Sequence, residues 1–195
     1  MSDAALSPGF AAPVADAQAT FRAVLAAMAS PGSLHRVSAA EALAPPAPLC
    51  AAAAACVLTL IDSEVTLWLD ARARAAGGWV AFHCGARAAP SRRDAQYALA
   101  IGWPGLDDFA PGTDDAPQDG ATLIVQVDAL DEGAAWRLSG PGLRVPTPLR
   151  ARGLPSDFAE QWRRNRARFP LGVDVVLCAG ATLAALPRSV SLEAC

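Results

Sequence analysis

The side chains of this chain able to do chemistry are few, and they do not fall at the spacing of any catalytic motif. The only histidines are His35, after a Pro31-Gly32 stop, and His83, beside Cys84 at the end of an apolar run. A metal site would need both joined by a thiol or carboxylate, and no ligand spacing links them, so hydrogen-bonded structural roles are expected. Cys84 and His83 on a strand would face opposite sides, which argues against a nucleophile–base couple. Asp174 stands in an otherwise apolar run from Val173 to Cys178, where a carboxylate needs a partner. Arg188, between Pro187 and Ser189, is the expected partner. Arg22 sits beside Phe21 at the edge of an apolar helix face, which predicts an internal ion pair or, alternatively, a fork offered to a carboxylate, a phosphate or a partner. Arg163, Arg164, Arg166 and Arg168 gather near a helix end, where cations complement the helix dipole. Contact with an acidic neighbour or a polyphosphate is the alternative for that cluster.

All 16 cationic side chains are arginine. Without lysine there is no internal amine to form a Schiff base and no Gly-Lys-Ser/Thr end for a Walker A loop. The net charge of -3 offers no basic face for nucleic acid. The five cysteines, Cys50, Cys56, Cys84, Cys178 and Cys195, form an odd set without a C-x-x-C pair, which predicts reduced thiols in the cytoplasm rather than a disulfide framework. Met1–Ala5 lacks the basic start and apolar core of an export signal. The longest apolar run, Leu49 to Ile61, falls short of the roughly 20 residues of a membrane span.

The elements that must position these residues follow from periodicity. A helix is expected over Ala15–Ala29, capped by Asp16, with Phe21, Val24, Leu25 and Met28 on its buried face and Pro31-Gly32 as its stop. Leu49–Ile61 reads as a buried helix. Val65–Leu69, Trp79–Cys84 and Ala95–Ile101 read as strands. Gly102–Gly120 reads as a loop with one turn of helix inside, and as the segment most open to motion. Ala121–Leu130 and Ala135–Leu138, joined by Asp131-Glu132-Gly133-Ala134, read as a hairpin. Ser156-Asp157 can cap a helix with Phe158, Trp162 and Asn165 or Phe169 on one side. Pro170 and Gly172 then turn the chain into the last buried strand. The expectation is one α/β domain over residues 1–195, a mixed sheet flanked by helices.

The block Phe169–Cys178 followed by Leu186-Pro187-Arg188-Ser189-Val190 resembles the PhnH family of the bacterial carbon–phosphorus lyase system. So do Asp16-Ala17-Gln18, Phe21-Arg22, Met28 and Ser30-Pro31-Gly32 at the other end, and between them Leu58-Thr59-Leu60, Trp68-Leu69, the run Gly120–Val127 and the Gly140 and Gly142 turn. The resemblance implies a fold similar to the large domain of pyridoxal-phosphate transferases without the cofactor. It also implies PhnG, PhnI and PhnJ as partners, and a dimer in isolation. In that system PhnI displaces adenine from ATP with an alkylphosphonate, and PhnJ cleaves the carbon–phosphorus bond by radical iron–sulfur chemistry. The PhnH-type subunit is then expected to be required but non-catalytic, with no metal and no cofactor of its own.

Two other roles compete with that expectation. Arg22, His35, His83, Asp174 and Arg188 are the candidate ligand or partner contacts, and Arg22, His83 and Arg188 could hold phosphonate or triphosphate oxygens if they converge in one cleft. A free-standing pyridoxal-phosphate transferase is the third possibility, with Asp174 on the pyridine nitrogen, and the missing lysine opposes it.

Overall fold

Four parallel strands, β2 (Thr66–Leu69), β4 (Tyr97–Ile101), β5 (Thr122–Gln126) and β8 (Asp174–Ala179), form the middle of the molecule. Their near-continuous apolar runs suit strands covered on both faces. The computed structural model describes residues 7–194; the Met1–Ala5 stretch and Cys195 lie outside it. Short strands extend the sheet at its edges, β3 (Arg87–Ala88) beside β2, and antiparallel β9 (Thr182–Leu186) and β1 (His35–Arg36) beyond β8. The resulting order is β1-β9-β8-β5-β4-β2-β3.

The two faces of this sheet carry different covers. Helices α1 (Pro13–Ala29), α2 (Ala51–Leu60) and α3 (Gly77–Cys84) share a core with Leu99, Ile101, Ile124, Val176 and Leu183. The intervening residues Ala98, Leu123, Val125, Val175 and Leu177 point the other way. They pack under a second antiparallel sheet, ordered β10-β6-β7, and under helix α4 (Phe158–Arg166). In that second sheet β6 spans Ala129–Ser139, β7 Thr147–Arg152 and β10 Ser191–Ala194. The reversal of cover has a topological cause. The β2–α3–β3 crossover steps one way along the sheet and the later crossovers step the other way, so a constant right hand places them on opposite faces.

The expected mixed sheet with helices is found, with three local corrections. Trp79–Cys84 is not a strand but most of α3, where Trp79, Val80 and Cys84 are buried and Gly85 at φ 64° supplies the left-handed residue that ends the helix. The expected hairpin is also absent. β5 ends at Gln126 in the large sheet, while β6 pairs with β7 and β10 in the small one. The acidic stretch Asp131–Ala134 makes a bulge inside β6 instead of a turn, with the register shifting between Leu130 and Ala134 and Asp131 at φ 72°.

The third correction concerns α1, which buries Thr20, Val24 and Ala27, whereas Phe21 is 50% and Leu25 57% exposed. Small residues allow the helix to lie close on α2 and β9, and the larger apolar side chains are left on the outer face. Asp16 does act at the helix start, as its Oδ2 accepts the N–H of the N-cap residue Ala12 at 2.8 Å. On α4 the buried face is Phe158, Trp162 and Asn165, as expected, with Phe169 half exposed. Asp157 makes no cap bond there; its carboxylate instead accepts from Gln161 Nε2 at 3.0 Å.

Candidate functional site

The most heavily bonded polar cluster centres on Asp174 and Arg188. Asp174 is the first residue of β8, and Arg188 follows β9, so the adjoining ends of these antiparallel strands bring the two side chains together. Arg188 Nη2 lies 2.6 Å from Asp174 Oδ2 and its Nε 3.1 Å from the same oxygen. The Arg188 backbone N–H donates to Asp174 Oδ1 at 2.6 Å. The fork is completed by the Gly102–Gly120 segment, because Nη1 donates to the Pro117 carbonyl at 2.6 Å. The expected loop contains one helical turn, Pro117–Asp119, and is anchored in the fold. Leu106 and Phe109 of that segment are buried in the core and its far end is tied to Arg188. Gly120 is needed there, since a Cβ would collide with the Gly172 carbonyl and the Arg188 guanidinium.

Placement decides what this cluster can do. Asp174 is at the amino-terminal edge of the parallel strands, opposite Thr122, the first residue of β5. In open α/β sheets ligands collect at the carboxyl ends, where the crossovers diverge to opposite faces. Here that crevice lies between β2 and β4, and it is occupied by the protein's own polar groups. Asp70 Oδ1 accepts the Ala73 N–H at 2.6 Å and Oδ2 the Ile101 N–H at 3.1 Å. Arg72 Nη1 donates to the Ile101 carbonyl at 3.2 Å. At the end of β5, Gln126 accepts the Cys50 N–H at 2.7 Å and donates to the Pro48 carbonyl at 3.0 Å. Sequence reasoning passed over Asp70 and Gln126. The available signal was a polar residue at the end of each apolar strand run.

The other candidate residues do not converge. His83 lies on α3 and stacks on Trp79 with ring centroids 4.8 Å apart. Its Nε2 is 3.0 Å from the Ser7 carbonyl, which also accepts Trp79 Nε1 at 2.9 Å, so His83 carries its proton on Nε2. Because α3 is a helix, His83 and Cys84 do not lie on opposite sides of a strand as expected. Cys84 Sγ points instead to the Val57 carbonyl, at 3.8 Å. His35 on β1 lies 2.7 Å from Ser33 Oγ, and that hydroxyl donates to the Ser30 carbonyl, so His35 Nε2 is the donor to Ser33. Both histidines are hydrogen-bonded within the fold. Arg22 overturns the expected internal ion pair: it is exposed on α1 and, among the described residues, bonded to no side chain.

The arginine cluster divides between ion pairs and a ring. Arg163 pairs with Glu160 at 2.7 Å and Arg164 with Asp107 at 3.0 Å, while Arg166 sits 4.8 Å above the Phe169 ring. Cys84 and Cys178 are held in their neutral form. Burial, helped by the Asp62 charge, pushes Cys84 up to about 11. The bond to Cys56, then burial, pushes Cys178 well above the ordinary thiol value. Neither is a thiolate nucleophile at neutral pH. Among the described residues no group of three or more His, Cys, Asp or Glu side chains could hold a metal ion. Among them also, no helix is long and apolar enough to cross a membrane.

The family profile described as bacterial phosphonate metabolism protein (PhnH) matches residues 8–193, nearly the whole chain. The chain belongs to the PhnH family. Within that setting it is 39% identical, over 192 residues, to the alpha-D-ribose 1-methylphosphonate 5-triphosphate synthase subunit PhnH of Rhizobium meliloti, covering 96% of this chain and 95% of the relative. It is 35% identical over 82 residues, 42% of each chain, to HtxG of Stutzerimonas stutzeri, a protein provisionally named a C-P lyase subunit. The PhnH match spans both cores and the Asp174–Arg188 pair, so the family relation concerns the entire fold.

Proposed function

We propose that the chain is the PhnH-type subunit of a carbon–phosphorus lyase complex, serving the step that makes ribose 1-methylphosphonate 5-triphosphate as an assembly or substrate-positioning component rather than as the catalyst. The observation that carries this reading is the end-to-end similarity to the Rhizobium meliloti synthase subunit. The polar groups described above support it. Asp174, Arg188, Asp70 and Gln126 are engaged by main-chain groups, and the Cys84 and Cys178 thiols are neutral, which leaves them poor candidates for general acid, base or nucleophile.

The outer face of α1 supports a partner-binding role. Val14, Phe21 and Leu25 are exposed at 86%, 50% and 57%, and Arg22 stands beside them without a side-chain partner among the described residues. Exposed apolar groups clustered on one helix are the usual mark of an interaction surface. The partners in this reading are PhnG, PhnI and PhnJ, with a homodimer in isolation and a cytoplasmic setting. The parallel middle of the large sheet, with crossovers on both faces, supports kinship with the large domain of pyridoxal-phosphate transferases, while the absence of lysine removes the anchor that such a cofactor needs.

The test is co-expression with PhnG, PhnI and PhnJ, followed by purification and an assay of adenine release from ATP and methylphosphonate. Joint purification, with turnover that depends on this chain, is the expected result. Turnover of ATP and methylphosphonate by the isolated chain would assign it the catalysis instead, and failure to enter the complex would remove the assembly role.

A further inference from the structure

We propose that the cleft between α3 and the β3 edge of the large sheet binds a small organic anion with an apolar body, and that Gly77 keeps this site open. The cleft holds about 240 Å³ and is walled by Leu67, Leu69, Val80 and Ala81, with Arg74 and Arg87 at its rim. It is smaller than the roughly 300–1,000 Å³ of sites for drug-sized ligands, so the body it admits is a single ring or a short branched chain. The apolar wall disfavours a sugar or a polyphosphate in the interior, because their polar groups would lose water without gaining hydrogen bonds.

The rim chooses the charge. Among the described residues Arg74 makes no side-chain hydrogen bond or ion pair, and Arg87 donates only to the main-chain oxygen of Glu64. Arg36, Arg92, Arg152, Arg163, Arg164 and Arg188 pair with carboxylates, whereas among the described residues the other ten arginines, Arg74 and Arg87 included, do not. Two guanidinium groups without carboxylates at one apolar hollow match a carboxylate, phosphate or phosphonate, whose oxygens accept in pairs from such forks.

Gly77 supplies the independent observation. Its φ of -58° and ψ of -36° are helical and open to any residue, and an added Cβ would meet only Leu69 Cδ1, at 3.4 Å. Glycine weakens a helix relative to alanine. Neither the backbone nor the packing therefore calls for glycine here; what its missing side chain leaves is space on the cleft wall, one turn before the small Ala81. A free ligand is favoured over an inserted partner strand because β3 is only two residues long and Pro90 follows closely, features that obstruct strand addition.

The test uses the full chain with phenylphosphonate and benzoate as anionic probes, and benzyl alcohol and inorganic phosphate as controls lacking the charge or the ring. Calorimetry is expected to show one site, with at least one anionic probe binding tenfold or more tighter than both controls. The exposed double variant Arg74→Ala/Arg87→Ala is expected to keep its melting temperature and lose tenfold or more in affinity. Gly77→Ala and Ala81→Leu are expected to hold or raise the melting temperature while weakening the same probe by a similar factor. No binding of either anionic probe at millimolar concentration overturns the proposal, as does wild-type affinity in the arginine or the filling variants. Hydrogen-exchange protection of residues 86–90 that requires other synthase subunits, with no effect of either probe, would replace the small anion with a partner segment. The calorimetric and melting readouts use the isolated chain and do not depend on whether it joins the synthase.

Discussion

Arg188 binds both carboxylate oxygens of Asp174 with its side chain, and it binds one of them again with its backbone N–H. The pair is largely enclosed, with side-chain exposures of 12% and 21%. Truncating either residue leaves the other charge in a poorly hydrated place, at a cost of about 3–5 kcal/mol. In chemical denaturation Asp174→Ala and Arg188→Ala should each lose that much, and the double variant less than the sum. Near-native stability of both single variants, with loss of activity in the reconstituted complex, would make the pair a ligand site instead.

His83 and Trp79 donate to the same carbonyl, that of Ser7, and so clamp the segment preceding α1 across α3. His83→Phe keeps an aromatic ring in the stack and removes one donor. The expected loss is about 1 kcal/mol of stability, with faster hydrogen exchange near Ser7–Phe10. Unchanged exchange in that segment would show that the Trp79 bond alone holds it.

The buried thiols should be slow to react. Burial raises Cys84 from the ordinary thiol value of 9.0 to about 11, so the native state keeps its proton where the unfolded chain releases it. The unfolded state then binds fewer protons, and Cys84's contribution makes stability fall as pH rises from about 9 to 11. Denaturation midpoints across that window, compared with Cys84→Ala, should show a shallower decline in the variant. Iodoacetamide at pH 8 should modify Cys84 and Cys178 only after denaturant is added.

Phe21 and Leu25 face outward, so charge there should spare the fold. Phe21→Glu and Leu25→Glu are expected to shift stability by about 0.5 kcal/mol or less, the usual range for surface changes, and to reduce recovery of PhnG, PhnI and PhnJ with this chain. Full recovery of the complex would move the partner surface off α1.

The parts of the fold legible in the sequence were those where one physical demand acted alone. A carboxylate in the run Val173–Cys178 required a cation, and Arg188 was the cation that a returning strand could deliver. α4 announced its buried face through Phe158 and Trp162, and its Asn165 accepts the Val173 N–H at 2.9 Å. Competing demands hid the rest. Trp79–Cys84 is apolar at both helical and strand spacing, and it enters through two glycines that weaken a helical reading. The face of α1 was misjudged because its alanines pack where larger residues were expected. The split between β5 and β6 was invisible because Asp131-Glu132-Gly133 is chemically a turn, and only pairing with β7 makes it a bulge. Asp70 and Gln126 escaped notice because their roles lie in contacts made with distant main chain.

The pairing of β1 with β9 has a kinetic consequence. His35 meets Leu183 across the sheet, and α1 rests on β9 as well as on α2, so the first helix completes its floor only after nearly all of the chain has been made. Contacts so distant in sequence slow folding, since a long loop must close before they contribute. During synthesis the outer apolar stripe of α1 is therefore exposed together with the part of its inner face that later meets β9. Nascent chains arrested before Thr182 should bind chaperones or aggregate, and the finished subunit should join its complex after release from the ribosome.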